Sequence, residues 1–356
     1  MSFSVDASAW GSETHTPYAA ADSRYSNFTY RRVGFSGLVL PPISLGLWWN
    51  FGDATPFADQ RTIIRHAFDT GITHFDLANN YGPPAGAAEE NFGRALAKDL
   101  APYRNELIIS SKAGWDHWRG PYGNYGSRKY LLASLDESLK RLGTDYVDIF
   151  YSHRVDPETP LEETIGALDT AVRSGKALYA GISSYSAERT RDAKQIADSL
   201  GTPLVIHQPA YSLLNRWVED GLLETLSDTG MGSIAFTPLA QGLLTSKYLD
   251  DPDARPSGKR SSLLNRHLSD ENLSRLRQLN EVADRRDQSL AQLAIAWLLR
   301  DGGATSVLMG ASSTAQLDEN LAAVTNTSFT AEELTEIDQI TRGESGINIW
   351  SVSSDL

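Results

Sequence analysis

Residues 71–82 read GITHFDLANNYG. The short apolar run THFDLA (73–78) carries Asp76 near its end, and Asn79, Asn80, Tyr81 and Gly82 follow. Asp is depleted in strand interiors and an Asn-Asn pair breaks the pattern. The stretch therefore reads as a strand that delivers a carboxylate at its C-terminal end and, in the turn beyond it, a phenol. Patterns of helical period flank it: QRTIIRHAFDTG (60–71) before and AEENFGRALAKDL (88–100) after.

The same unit recurs along the chain. Strand candidates are ISLGLW (43–48), THFDLA (73–78), LIISSK (107–112), VDIFYSH (147–153), ALYAGIS (177–183), LVIHQ (204–208), SIAFTPL (233–239) and TSVLMGA (305–311). Helical patterns such as RKYLLASLDESLKRLG, LEETIGALDTAVRSG and SLAQLAIAWLLRDG lie between them, several ending in Gly as helix C-termini do. Strands alternating with helices give a parallel sheet, and eight such units predict closure into a (β/α)8 TIM barrel. Before the first unit, FTYRRVGFSGLVLP (28–41) reads as an N-terminal β-hairpin. No composition break divides the chain, so 1–356 is expected to be one barrel unit, with a core over 28–342, a flexible arm over 1–25 and a tail over 343–356. The polar stretch 248–267 is expected to form a flap after the seventh barrel strand.

Composition narrows the function. The 356 residues carry a formal net charge of −13 and no Lys/Arg run, which argues against a nucleic-acid partner. The chain has no Cys, which excludes disulfides, thiolate catalysis and Cys-ligated zinc. The N-terminus has no signal-peptide pattern, and no uncharged apolar run reaches membrane-spanning length. The expectation is a cytoplasmic protein without a membrane partner.

In a barrel of this type, catalysis sits at the C-terminal ends of the strands. Consecutive strands bring Asp76, Lys112 and His153 there, with Tyr81 in the loop after Asp76 and Gln208 on the sixth strand. Taken singly, these are a turn cap, a solvated cation, a satisfied imidazole and a packing phenol. Together they form a proton-transfer set. A free phenol, with a pKa of about 10, exchanges poorly at neutral pH. A neighbouring Lys112 ammonium is expected to lower that value, with Asp76 holding the ammonium and His153 orienting a substrate oxygen. A phenol that donates to a carbonyl oxygen as it becomes an alkoxide suits carbonyl reduction. No side chain supplies a hydride, so a nicotinamide cofactor is required. No G-x-G-x-x-G follows a strand, so the cofactor is expected across the C-terminal face of the barrel rather than in a Rossmann site. No metal-ligand spacing appears. A Schiff base on Lys112 is disfavoured, because Asp76 would keep the amine protonated.

These residues resemble the aldo-keto reductase family over about 30–342. The stretch at 71–82 is similar to its G-x-x-x-x-D-x-A-x-x-Y-G signature, and Asp76, Tyr81, Lys112 and His153 fall in the family's order. The resemblance implies NADP(H) as cofactor. GISSY would place Ser183 and Ser184 at the carboxamide with Gln208, although many members have Asn where this chain has Ser184. AFTPLAQGLLTSKY would stack Phe236 on the nicotinamide, with Thr237, Leu239, Gly242 and Lys247 along the pyrophosphate. GASSTAQLDEN would place Ser312, Gln316, Glu319 and Asn320 at the adenosine, and Lys259 and Arg260 near a 2′-phosphate. Gln316 stands where many relatives have Arg.

SLGLWWNFG, DIFYSHRVD, LLNRW and the tail INIWSVSSDL narrow the likeness to a branch with two kinds of member. One reduces small aldehydes such as L-glyceraldehyde 3-phosphate and methylglyoxal. The other is the NADP(H)-binding potassium channel β subunit, a regulatory module. The first is the favoured reading and implies a homo-oligomer. Trp48, Trp49 and Trp115 are expected to wall the substrate pocket, joined by Trp118 and Trp350. Arg119, Arg128 and Arg154 are candidates to meet a substrate phosphate, Arg154 being expected to pair with Asp156 instead.

Overall fold

The computed structural model describes residues 17–250 and 267–342. Two short strands, β1 (Arg31–Arg32) and β2 (Val39–Leu40), form the antiparallel hairpin. Eight further strands follow: β3 (Ile43–Gly46), β4 (His74–Asp76), β5 (Ile108–Ala113), β6 (Val147–Ser152), β7 (Ala177–Ser183), β8 (Leu204–Gln208), β9 (Gly232–Ala235) and β10 (Ser306–Met309). They are parallel, run in chain order and close through β10 beside β3. The expected (β/α)8 barrel is the architecture observed.

The helices arise where the sequence supplies both an apolar face and ends. Ser127, Ser186 and Ser289 accept hydrogen bonds from the backbone N–H of Tyr130, Arg189 and Gln292 and so cap the helices that follow them. Gly143, Gly201 and Gly230 end helices in the left-handed conformation, at φ of 65°, 71° and 67°. The inner faces of these helices pack on the outside of the barrel and form the larger apolar cluster.

A second, smaller cluster fills the barrel from below. Val33, Leu38 and Leu40 of the hairpin region meet the inward side chains Ile149, Tyr151, Ile206, Ile234 and Leu308. The hairpin is anchored there by the Phe35 N–H donating to the Gly230 carbonyl at 2.9 Å. It stoppers the N-terminal end of the strands. Tyr151 reaches inward across Gly181, where an added Cβ would lie 2.4 Å from the Tyr151 ring. Since Tyr151 is fully buried, Gly181→Ala is expected to cost about 1–3 kcal/mol through overpacking. Urea unfolding would measure it, and an unchanged midpoint would contradict this packing.

Of the flexible arm expected over 1–25, residues 1–16 lie outside the described residues. Residues 17–26 lie against the barrel: the Tyr18 hydroxyl donates to Asp69 at 2.6 Å, the Ala20 N–H to the Tyr103 hydroxyl at 3.0 Å, and the Ala21 N–H to Asp69 at 2.8 Å. The Arg24 guanidinium lies over Tyr25, Phe68 and Tyr103 and pairs with Glu106. Small polar composition suggested mobility, but Asp69 and Tyr103 supply fixed partners that composition cannot reveal. The greater part of the 248–267 insertion lies outside the described residues, as do Lys259, Arg260, Trp350 and the 343–356 tail.

Two buried histidines give the fold an acid sensitivity. Burial pushes His74 down to about 4 and His207 down to about 3. Both stay neutral in the folded chain while the unfolded chain takes up protons below about 6.5. Each therefore removes about 1.4 kcal/mol of stability per pH unit as pH falls from about 6.5 towards its folded value. Unfolding free energy should decline between pH 6.5 and 5, above the range where ordinary carboxylates titrate. A flat urea-unfolding profile across that window would contradict their neutral burial.

Candidate active site

The mouth is built from strand ends, and period two decides which side chains enter it. Asp76 ends β4, Lys112 lies near the end of β5, and His153 follows β6. Asp76 and Lys112 are fully buried and form an ion pair, with Lys112 Nζ 2.6 Å from Asp76 Oδ2. The same ammonium donates to the Leu77 carbonyl at 2.6 Å. The other carboxylate oxygen, Oδ1, accepts from the Ser110 hydroxyl at 2.7 Å and from Gln208 Nε2 at 3.1 Å. A buried charge pair is tolerated when its remaining polar sites are satisfied, and here they are.

Tyr81 sits beside this pair. Lys112 Nζ lies 5.0 Å from the centre of the Tyr81 ring. The phenol is half-buried, and its hydroxyl makes no hydrogen bond to another described residue. The expected lowering of its pKa by Lys112 is not what the structure gives. Burial, followed by the negative charge of Asp76, holds Tyr81 well above the usual phenol range. Asp76 neutralises the ammonium at 2.6 Å, so the phenol feels a pair rather than a lone cation. Burial also pulls Lys112 down, against the opposing pull of Asp76 and Glu89. Tyr81 is thus a protonated donor, not a phenolate held in waiting.

His153 completes the set. Its ring stands edge-on to Tyr81, with centroids 5.9 Å apart. Burial, with Lys112 and Arg154 adding their repulsion, keeps it neutral, and its Nδ1 is buried without a hydrogen-bond partner. Trp48 stacks on Tyr81 at 5.8 Å, Trp49 lies 5.0 Å from Trp48, and Trp115 stands edge-on to His153 at 6.3 Å. Trp48 and Trp115 thus flank the Tyr81–His153 pair, and Trp49 packs behind Trp48. Trp118 instead packs on Tyr130, 5.0 Å away.

The residues expected at the cofactor fall into groups. Ser183 and Ser184 end the β7 side of the mouth, where the Ser183 hydroxyl and the Ser184 N–H both donate to the Gln208 carbonyl. The Gln208 side chain is turned to Asp76, so it serves the ion pair. Phe236 follows β9 and packs against the inner cluster. Beyond it, Thr237, Ala240 and Gln241 have φ of 54°, 46° and 58°, and Ser184 has 61°. Left-handed backbone at non-glycine residues is strained, and such strain gathers at ligand clamps. Leu239 and Gly242 belong to the same turn, which Gly242 leaves open: an added Cβ there would meet nothing within 4 Å. Lys247 is exposed, its Nζ 5.6 Å from the Tyr248 ring. Ser312 donates through both its N–H and its hydroxyl to Gln316 Oε1 at 2.9 Å. The exposed Glu319 accepts from Gln292 through its carbonyl, and the buried Asn320 has an unpartnered Nδ2.

The three arginine candidates separate. Arg119 is exposed on the loop after β5. Arg128 is bound to the Gly166 carbonyl and to Thr170 on the helix Leu161–Arg173. Arg154 does not pair with Asp156, correcting the sequence reading. It lies over Trp115 at 4.0 Å and Tyr125 at 4.2 Å and donates to the Gly114 carbonyl and Asn124 Oδ1. Asp156 is occupied by the Gly126, Glu158 and Thr159 N–H groups and the Thr159 hydroxyl.

Sequence reading missed His74, Ser110 and Tyr151, which line the interior below the tetrad. The signal was available: stepping back two residues from Asp76, Lys112 and His153 reaches them.

With this geometry in place, comparison with known proteins gives the class. The model of the aldo/keto reductase family matches residues 42–342. The chain belongs to that family and is an oxidoreductase. It is 59% identical over 345 residues to the L-glyceraldehyde 3-phosphate reductase of Escherichia coli (strain K12), covering 95% of this chain and 99% of that protein. It is also 37% identical over 303 residues to a probable voltage-gated potassium channel subunit beta of Arabidopsis thaliana, covering 83% of this chain and 90% of that one. Among the described residues, no helix is long and apolar enough to cross a membrane.

Proposed function

We propose that this chain reduces small aldehydes with NADPH, with L-glyceraldehyde 3-phosphate and methylglyoxal among its substrates. The observation that carries the reading is the satisfied Asp76–Lys112 pair beside a protonated Tyr81, among aromatic rings at the C-terminal end of the barrel. The 59% identity to a reductase, against 37% to a channel subunit, supports catalysis over a purely regulatory role.

The mouth fits a nicotinamide cofactor. The strained turn at Thr237–Gln241 and the unpartnered Asn320 Nδ2 are features that a bound dinucleotide would explain. Ser183, Ser184, Phe236, Thr237, Leu239, Gly242, Lys247, Ser312, Gln316, Glu319 and Asn320 would hold it. When bound, it supplies the hydride. The chain's own residues manage the oxygen. Trp48 and Trp115 exclude water from the carbonyl, and the neutral His153 ring, edge-on to Tyr81, is left to orient it. As negative charge grows on that oxygen, Tyr81 Oη gives up its proton. The growing alkoxide is a strong base, and it draws that proton as its charge develops. The Lys112 ammonium, 5.0 Å from the ring centre, offsets the charge left on the ring only in part, because Asp76 holds it in an ion pair.

Fluorescence titration with NADPH and NADH, followed by turnover of an aldehyde panel, tests this reading. Tighter NADPH binding and reduction of glyceraldehyde, its 3-phosphate and methylglyoxal are expected. Binding without turnover of any aldehyde would transfer support to the regulatory module. We further place the enzyme in the cytoplasm and, on the family resemblance, as a homo-oligomer, which light scattering would measure.

A further inference from the structure

Below the tetrad, part of the barrel interior is polar where apolar side chains are the rule. Ser306 Oγ lies 2.8 Å from Ser44 Oγ, which lies 2.9 Å from His74 Nδ1. His74 Nε2 lies 3.0 Å from Ser110 Oγ, and that hydroxyl donates to Asp76 Oδ1 at 2.7 Å. All five residues are fully buried. They come from β10, β3, β4 and β5, so the series exists only because the barrel closes.

Counting protons fixes the direction of every link. Each hydroxyl has one hydrogen to give. Ser110 must give its own to the carboxylate, because two oxygens at 2.7 Å with no proton between them would repel. Ser110 therefore accepts from His74, which puts a hydrogen on Nε2. Burial keeps His74 neutral, so Nδ1 carries none and must accept from Ser44. Ser44 has then spent its hydrogen and accepts from Ser306. The one competing acceptor for Ser306, the Pro42 carbonyl, is 3.4 Å away and loses to Ser44 at 2.8 Å.

We infer that Ser306, Ser44, His74 and Ser110 form a one-way hydrogen-bond chain whose donors all point at Asp76, with His74 as a positioning residue for the Asp76–Lys112 pair. Each link polarises the next, so the last donor meets the carboxylate more strongly than an isolated serine would. The chain fixes Oδ1, which leaves Oδ2 to face Lys112. It also favours the charged form of the pair over a neutral one in which the Lys112 proton has moved to Asp76. The other ionisable groups around the ammonium are Glu89, Tyr81, Tyr151 and His153, and none of them touches Oδ1. The inference rests on the proposed role of the Asp76–Lys112–Tyr81 set, but the chain's direction does not.

Two measurements test it. Nitrogen-15 NMR of the full-length protein labelled at its seven histidines would read the tautomer directly, with His74 assigned by its loss in His74→Gln. A protonated Nε2 and bare Nδ1 are expected, and a protonated Nδ1 would overturn the direction. In kinetics with saturating NADPH, His74→Leu and Ser110→Ala should each lower kcat on the order of tenfold, as loss of an orienting partner does elsewhere. KM and NADPH affinity should hold. His74→Gln, which keeps a donor towards Ser110, should recover part of the loss. If Ser110→Ala leaves kcat unchanged, or if Leu and Gln at residue 74 behave alike, the positioning role is gone. A wild-type protein with no aldehyde turnover would instead count against the proposed reaction, while the tautomer measurement would still stand.

Discussion

Tyr81→Phe is expected to abolish most turnover while leaving NADPH binding intact. The substitution removes a single oxygen, and that hydroxyl makes no hydrogen bond to the described residues, so the fold should not register its loss. The ring keeps its stack on Trp48 and its place beside Lys112. On the proposed mechanism, what disappears is the proton that meets the developing alkoxide. Positioned general acids contribute about 10²–10⁴-fold, and kcat should fall by that much. Steady-state kinetics on glyceraldehyde, paired with fluorescence titration of NADPH, would separate the two effects. A variant within a few-fold of wild type would mean that the proton comes from elsewhere, and the neutral His153 would be the next group to test.

Lys112→Met is expected to damage folding and catalysis together. It removes the cation and leaves the Asp76 carboxylate buried, held only by Ser110 and Gln208. Breaking one side of a buried pair typically costs about 3–5 kcal/mol, because a lone charge remains in the interior. Urea unfolding of Lys112→Met should show a loss of that size. Adding Asp76→Asn should restore part of the stability and none of the turnover, since the carboxylate is neutralised while the ammonium stays absent. If the double variant were no more stable than Lys112→Met alone, the two residues would not be energetically coupled as their 2.6 Å separation requires.

The sequence carried the barrel because its signals are local. The seven residues of ALYAGIS and the five of LVIHQ are strands over their whole lengths, and two of the helices run from a Ser cap to a Gly cap, Ser127 to Gly143 and Ser186 to Gly201. The gathering of Asp76, Tyr81, Lys112 and His153 at one end of the barrel was legible for the same reason: β4, β5 and β6 deliver them at or just past their C-terminal ends, β4 supplying two. Electrostatic sign was not legible. From order alone, Lys112 should acidify Tyr81, but the ammonium is turned to Asp76 and Leu77, and burial of the phenol prevails. Arg154 and Asp156 are close in sequence yet have separate partners, because the loop after β5 brings Asn124 and Tyr125 to the arginine. Ser44 and Ser306 are 262 positions apart, and only ring closure makes them neighbours.

The hairpin that floors the barrel lies at the far end from the reacting groups. Val33, Leu38 and Leu40 hold the structure together without approaching the place where chemistry happens. Durability and rate are thereby assigned to opposite poles of one molecule. Selection, or an engineer, can harden the base to raise heat tolerance and leave the upper rim free to drift towards new substrates.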